Sequence, residues 1–123
     1  MLELGSRERT QPAPQAVVWA SLVAVGRDQP GEDGARPWFD LLDDEVRPKI
    51  VTAREPDLVE WSSLWPDRPH DRIRFDIRQD GAGSAVRWTL STTDAAPTES
   101  KLGHQRYRLN LLINERLRLS YGQ

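Results

Sequence analysis

The spacing of apolar residues changes period along the chain, and the changes divide it into elements. Near the start, Leu2, Leu4 and the small Ser6 alternate with Glu3 and Gly5, which predicts a short strand over residues 2–10. After Pro12 and Pro14, Val18, Leu22 and Val25 recur at helical spacing with Trp19 beside them, and Gly26 supplies a stop, so QAVVWASLVAVG reads as a helix. RDQPGEDGAR, residues 27–36, is glycine, proline and charge, a loop by local chemistry. PWFDLLDDEV then carries proline at a first helical position and sets Trp38, Leu41, Leu42 and Val46 on one helical face, predicting a short second helix that ends before Pro48.

From Lys49 onward the period shortens to two. KIVTARE alternates Val51 and Ala53 with Lys49, Thr52 and Arg54. LVEWSSLW places Val59, Trp61, Ser63 and Trp65 on one face and Leu58, Glu60, Ser62 and Leu64 on the other. The i, i+4 spacing of its tryptophans also fits a helix, but Pro56 and Pro66 bracket too short a run. DRIRFDIRQ sets Ile73, Phe75 and Ile77 against Arg72, Arg74, Asp76 and Arg78, and SAVRWTLST sets Val86, Trp88 and Leu90 against Arg87 and Thr89. The stretch from Asp80 to Gly83 joins the last two as a hairpin turn. Short connections imply an antiparallel meander, because a parallel crossover needs a dozen or so residues. After TTDAAPTES a long helix runs from Leu102 to about Ser120. Leu102, Leu109, Leu112, Ile113, Leu117 and Leu119 form its apolar stripe, with Arg116 near the middle and Gln105 and Arg106 inside it. One apolar sheet face needs cover, and this helix has the matching stripe, which gives an α+β fold.

Composition narrows the function classes. At 123 residues the chain reads as one domain, 1–123, with little to spare for a large internal cavity. Seventeen Lys and Arg against nineteen Asp and Glu leave a formal charge of −2, so there is no general positive field for nucleic acid. The absence of cysteine excludes a disulfide framework, a thiolate nucleophile and the common structural zinc sites, and it fits a reducing compartment, with the cytoplasm as default. AVVWASLVAV, residues 16–25, is shorter than the roughly 18 apolar residues of a spanning helix. MLELGSRERT lacks the basic and apolar regions of a signal peptide, so neither membrane insertion nor export is expected.

Three stretches together resemble the SRPBCC superfamily, the START-like or birch-pollen-allergen-like group. APQAVVWASLV is similar to the family's first helix. LVEWSSLW followed by IRFDIRQDGAGSAVRWTL is similar to a Leu-x-Trp strand and a hairpin with Gly-x-Gly-Ser/Thr at its turn, and GHQRYRLNLLINERLR to the terminal helix. The resemblance implies a helix-grip fold, in which a curved antiparallel β-sheet wraps a long C-terminal α-helix. In relatives an apolar cavity between sheet and helix accepts lipids, polyketides or other hydrophobic molecules. It transfers no mechanism, since the superfamily includes lipid carriers, polyketide cyclases and aromatases, and chaperone-ATPase activators. Fuller members have about two more strands between the second helix and the middle of the sheet, a shortening that leaves less room for a cavity.

Catalytic signatures are sparse. GAGSAV lacks the third glycine of a dinucleotide fingerprint and lies between strands, so it reads as a turn. His70 and His104 have no second ligand at i+3 or i+4, and Asp40, Asp43, Asp44 and Glu45 read as a solvated helix face rather than a metal site. No metal or cofactor is expected. The arginines at 106, 108, 116 and 118 spread around the helix rather than forming one nucleic-acid stripe. Arg116 falls on apolar surface, where a guanidinium must be paired. It either anchors a ligand's oxygen or bridges to a sheet-side carboxylate.

The candidate ligand-binding set is Trp61, Ser63, Trp65, Phe75, Trp88, Leu90, Leu109, Ile113 and Arg116. The leading expectation is a non-enzymatic module that binds a small hydrophobic molecule. The alternatives are a cyclase or aromatase using Tyr107, His104, Asp76 or Arg116, and a protein-interaction module that uses the sheet edge or WFDLL. An exposed edge is also a route to homodimers.

Overall fold

The computed structural model describes residues 1–27 and 38–122. Strand β1 (Leu2–Gln11) leads into helix α1 (Gln15–Gly26), and four strands follow, β2 (Ile50–Arg54), β3 (Leu58–Ser62), β4 (Asp71–Asp80) and β5 (Gly83–Thr92). The chain closes with a long C-terminal helix. It is α-helical as α2 (Glu99–Leu109), winds as a π-helix over Asn110–Leu117, and ends in an α-helical turn, Arg118–Ser120. The strands form one antiparallel sheet in the order β1-β5-β4-β3-β2, so the chain's first strand lies beside its last and β2 is an open edge. The expected loop over 27–36 falls almost wholly outside the described residues.

Register follows the alternation. Ile73 faces Leu90, Phe75 faces Trp88 and Ile77 faces Val86, and all six side chains are buried. The charged partners Arg74, Asp76 and Arg87 lie on the opposite face. A two-residue turn joins β4 to β5, with Gly81 at φ +59, where glycine carries no Cβ penalty. In β1 the thin alternation has a cause: the register shifts between Glu3 and Gly5. Leu4 is buried there and its carbonyl accepts from Arg106 Nε at 3.1 Å. Gly5 makes room for that guanidinium, since a Cβ at this position would sit 2.7 Å from Arg106 Nε.

The expected second helix over 37–46 is not formed. Residues 38–49 run irregularly, and the hydrogen bonds say why. A helix needs the Val46 N–H to return to Leu42, but it donates to the Leu64 carbonyl at 2.7 Å. The Asp40 carbonyl accepts from Arg108, and the Leu42 N–H is taken by the Glu45 side chain. Trp38 and Phe39 still pack on the core, while Leu42 and Val46 remain exposed. Pro37 lies outside the described residues.

Each layer is tied to the next by indole donors. Trp61 Nε1 donates to the Leu22 carbonyl of α1 at 3.0 Å, and Trp19 Nε1 returns a bond from α1 to Leu58 at 3.0 Å. Trp88 Nε1 reaches Asn110 Oδ1 on the C-terminal helix at 3.1 Å. The far end of that helix is pinned to α1 by the Tyr121 hydroxyl, which donates to Ser21, and burial pushes its pKa up to about 12.

Where β1 meets β5, a Cβ on Gly83 would stand 2.4 Å from the Gln11 carbonyl oxygen. Gly83→Ala is expected to cost about 1–3 kcal/mol, read as a lower urea midpoint, whereas Ala at Gly103, inside the helix with open space around its Cβ, should raise the midpoint.

Candidate functional site

The concave sheet face and the helix above it were expected to enclose a ligand, and the residues expected to line it do assemble there. Trp61, Trp65, Phe75, Trp88, Leu90, Leu109 and Ile113 all belong to one buried cluster. Trp61 packs edge-on against Phe75 at 4.6 Å between ring centroids and against Phe39 at 5.6 Å, so aromatic rings fill the space between β3, β4 and the irregular segment. None of the seven exposes more than 1% of its surface.

The two expected polar handles have protein partners. β3 ends at Ser62, so Ser63 and Trp65 do not continue its face. Ser63 Oγ accepts from the Trp65 N–H at 3.0 Å and lies 3.2 Å from the Trp65 carbonyl, a local turn. Arg116 leaves its side chain 39% exposed and pairs with Asp40, whose carboxyl that bond holds below its ordinary value.

The buried guanidinium is Arg108. Its Nε and Nη2 donate to the two Glu45 oxygens at 2.9 and 2.8 Å, a bidentate pair whose side chains are 3% and 0% exposed. Burial opposes ionisation of Glu45, but bonds from Arg108 and the Leu42 N–H outweigh it and leave the carboxyl below its usual 4.5. The Trp65 indole N–H also favours the charged carboxylate, though it falls short of a full hydrogen bond. Helical spacing put Arg116 on the apolar stripe because the helix does not keep one winding. With i to i+5 bonding each residue turns through a smaller angle than in an α-helix. Over 110–117 this rotates Asn114 into the core and Arg116 and Leu119 out toward the rim.

Asp44, Glu45 and His104 converge among the described residues, with one ligand atom from each within 4.8 Å of the others. Both Glu45 oxygens are already held by a guanidinium, however, so a metal ion would have to sit against the Arg108 charge. The four residues weighed for acid-base work do not converge. Asp76 pairs with Arg74 on the polar sheet face, Tyr107 is 62% exposed, Arg116 is bound to Asp40 and His104 lies beside Glu45.

Among the described residues, none of the expected ligand residues lines either of two surface clefts. One, of about 190 Å³, lies on the polar sheet face between Glu8, Arg54, Asp57, Asp76, Arg78 and Arg87, where most charges are already paired. The other, of about 260 Å³, lies along the seam between β1 and the C-terminal helix, lined by Arg9, Asn114, Glu115, Arg118 and Leu119.

No protein-family model and no curated protein matches the chain. Solved structures do. The crystal structure of Ara h 8.0201 superposes with a TM-score of 0.62 at 12% identity, over 97% of this chain and 97% of that one. The solution structure of CalU16 from Micromonospora echinospora gives 0.62 at 15% identity, over 89% of this chain and 60% of that one. The Aha1 dimer from Colwellia psychrerythraea gives 0.59 at 13% identity, over 94% and 99%. These likenesses establish the helix-grip fold, and at such identities they establish the fold alone. No helix among the described residues is long and apolar enough to cross a membrane.

The Glu45 carboxyl is held below its ordinary 4.5 in the folded chain, so its contribution is fully present above that pH and is lost as pH falls through the depressed value. The urea midpoint of the wild type should fall below pH 4.5, and more shallowly in Glu45→Gln. At neutral pH that variant should lose about 3–5 kcal/mol, because Arg108 is left buried without its counter-charge. The E45Q/R108M variant should recover part of the loss.

Proposed function

We propose that the chain is a non-catalytic interaction module that pairs with a second copy of itself along the open β2 edge. The observation that carries the reading is the filled concave face: with Trp61, Trp65, Phe75 and Trp88 in full mutual burial, the surface free to bind is the rim. Among the described residues β2 has a strand neighbour on one side only, and residues 51–54 are exposed, so its free backbone groups form a template for another strand. An antiparallel pairing centred on Thr52 sets Lys49 opposite Glu55 of the second copy, at both ends by two-fold symmetry, and covers Val51 with Ala53. That charge pattern favours one register and a closed dimer. The similar Aha1 structure from Colwellia psychrerythraea is a dimer.

Analytical ultracentrifugation at micromolar concentration is the test. Wild type is expected to dimerise, Lys49→Glu to sediment as a monomer, and K49E/E55K to dimerise again. A wild type that stays monomeric, or a Lys49→Glu variant that associates unchanged, would sink the reading.

The second reading is a small hydrophobic ligand, lipid- or polyketide-like, between sheet and helix. It would have Trp61, Trp65, Phe75, Trp88, Leu90, Leu109 and Ile113 as wall and Ser63 or Arg116 as handle. The π-wound helix over that wall favours it, since such windings often mark functional sites. A ligand would have to displace packed side chains. Titration with an apolar fluorescent probe is therefore expected to leave tryptophan emission without a saturable change, and saturable quenching would favour this reading over the first.

A further inference from the structure

Beyond that reading, and at the opposite edge of the sheet, we infer that the seam cleft between β1 and the π-wound half of the C-terminal helix binds a small hydroxylated carboxylate. Six arginines, Arg54, Arg68, Arg74, Arg78, Arg108 and Arg116, each pair with a carboxylate. Arg9 and Arg118 line one cleft and have no ion pair among the described residues, although Glu115 lines it too. Two guanidiniums against one carboxylate leave the cleft net positive, which suits a monoanion.

The buried amides supply the second half of the argument. Asn114 is 2% exposed and lines the cleft. Its Nδ2 donates to Asn110 Oδ1 at 2.9 Å, and that same oxygen accepts the Trp88 indole N–H, so the orientation of both amides is fixed. Asn114 Oδ1 is then an acceptor with no donor. Gln11 repeats the situation two residues along β1 from Arg9. Its Nε2 donates to the Ile113 carbonyl at 2.9 Å, and its buried Oε1 has no partner. Native interiors rarely leave such acceptors empty. A lone water would occupy about 30 Å³, against a cleft of about 260 Å³. An anion that also carries hydroxyl donors suits the cleft's charge and its Asn114 acceptor: its carboxylate meets Arg9 and Arg118, and its hydroxyls meet Asn114 Oδ1 and Glu115. Sugar acids of the glycerate type have this chemistry.

The test is NMR titration of the labelled full chain with D-glycerate, propionate and sulfate in parallel. Glycerate is expected to shift the resonances of Arg9 and of residues 114–119 saturably. Propionate, which lacks the hydroxyls, should bind roughly tenfold more weakly, as should glycerate to Arg118→Gln, while Arg54→Gln on the other face leaves affinity unchanged. If Arg118→Gln does not fold, Arg9→Gln on the exposed edge strand replaces it. Absence of saturable shifts, shifts centred elsewhere, or equal affinity for all three anions would overturn the proposal. The dimer test is read by sedimentation and turns on Lys49 and Glu55, so either idea can fail alone.

Discussion

A buried tryptophan brings a large apolar surface and one N–H that still needs an acceptor. This chain buries three such rings between sheet and helix, and much of its architecture follows from where their donors go. Trp61 finds its acceptor on α1, which fixes that helix against the strand ends. Trp88 finds one in Asn110, which brings an asparagine to the helix face that covers the sheet. Trp65 lies against Glu45, the carboxylate that Arg108 neutralises. Ring volume and donor placement are therefore one constraint: the indoles that fill the interior also decide which elements stand next to it.

The irregular segment 38–49 shows the same trade at another level. As a helix it would have satisfied its own backbone but carried Glu45 on an exposed acidic face. As an extended strap it gives up the intrahelical ladder, passes the Val46 N–H to Leu64 and the Asp40 carbonyl to Arg108, and delivers a carboxylate to a guanidinium that would otherwise be stranded. Tertiary partners outweigh local helix preference where a buried charge must be matched.

The strands and hairpin were legible because the alternation is clean where one face is buried and the other is charged, as in DRIRFDIRQ. The second helix was not, because Trp38, Leu41, Leu42 and Val46 have helical spacing but only part of the set is packed. The aromatic wall was legible as a set of buried residues. Periodicity does not reveal whether such a wall is filled, since it reports which side chains face inward and not the volume between them. Arg116 was misplaced for a different reason. A regular wheel assumes one winding from end to end, and the change from α to π after Leu109 moves the phase of every later residue. Arg108 itself lies ahead of that change, on the buried side of the α-wound half with Gln105 and Leu109.

That change of winding also gives the terminal helix two halves with separate phases. Glu99–Leu109 is in phase with the Glu45 strap, while Asn110–Leu117 is in phase with β1 through Gln11 and with Trp88. The π stretch works as a splice that absorbs a mismatch in rotation, so that one continuous rod meets two surfaces whose demands no single pitch would satisfy. A longer or shorter splice would turn a different set of side chains toward the β1 seam while leaving the buried ion pair, which lies ahead of it, in place.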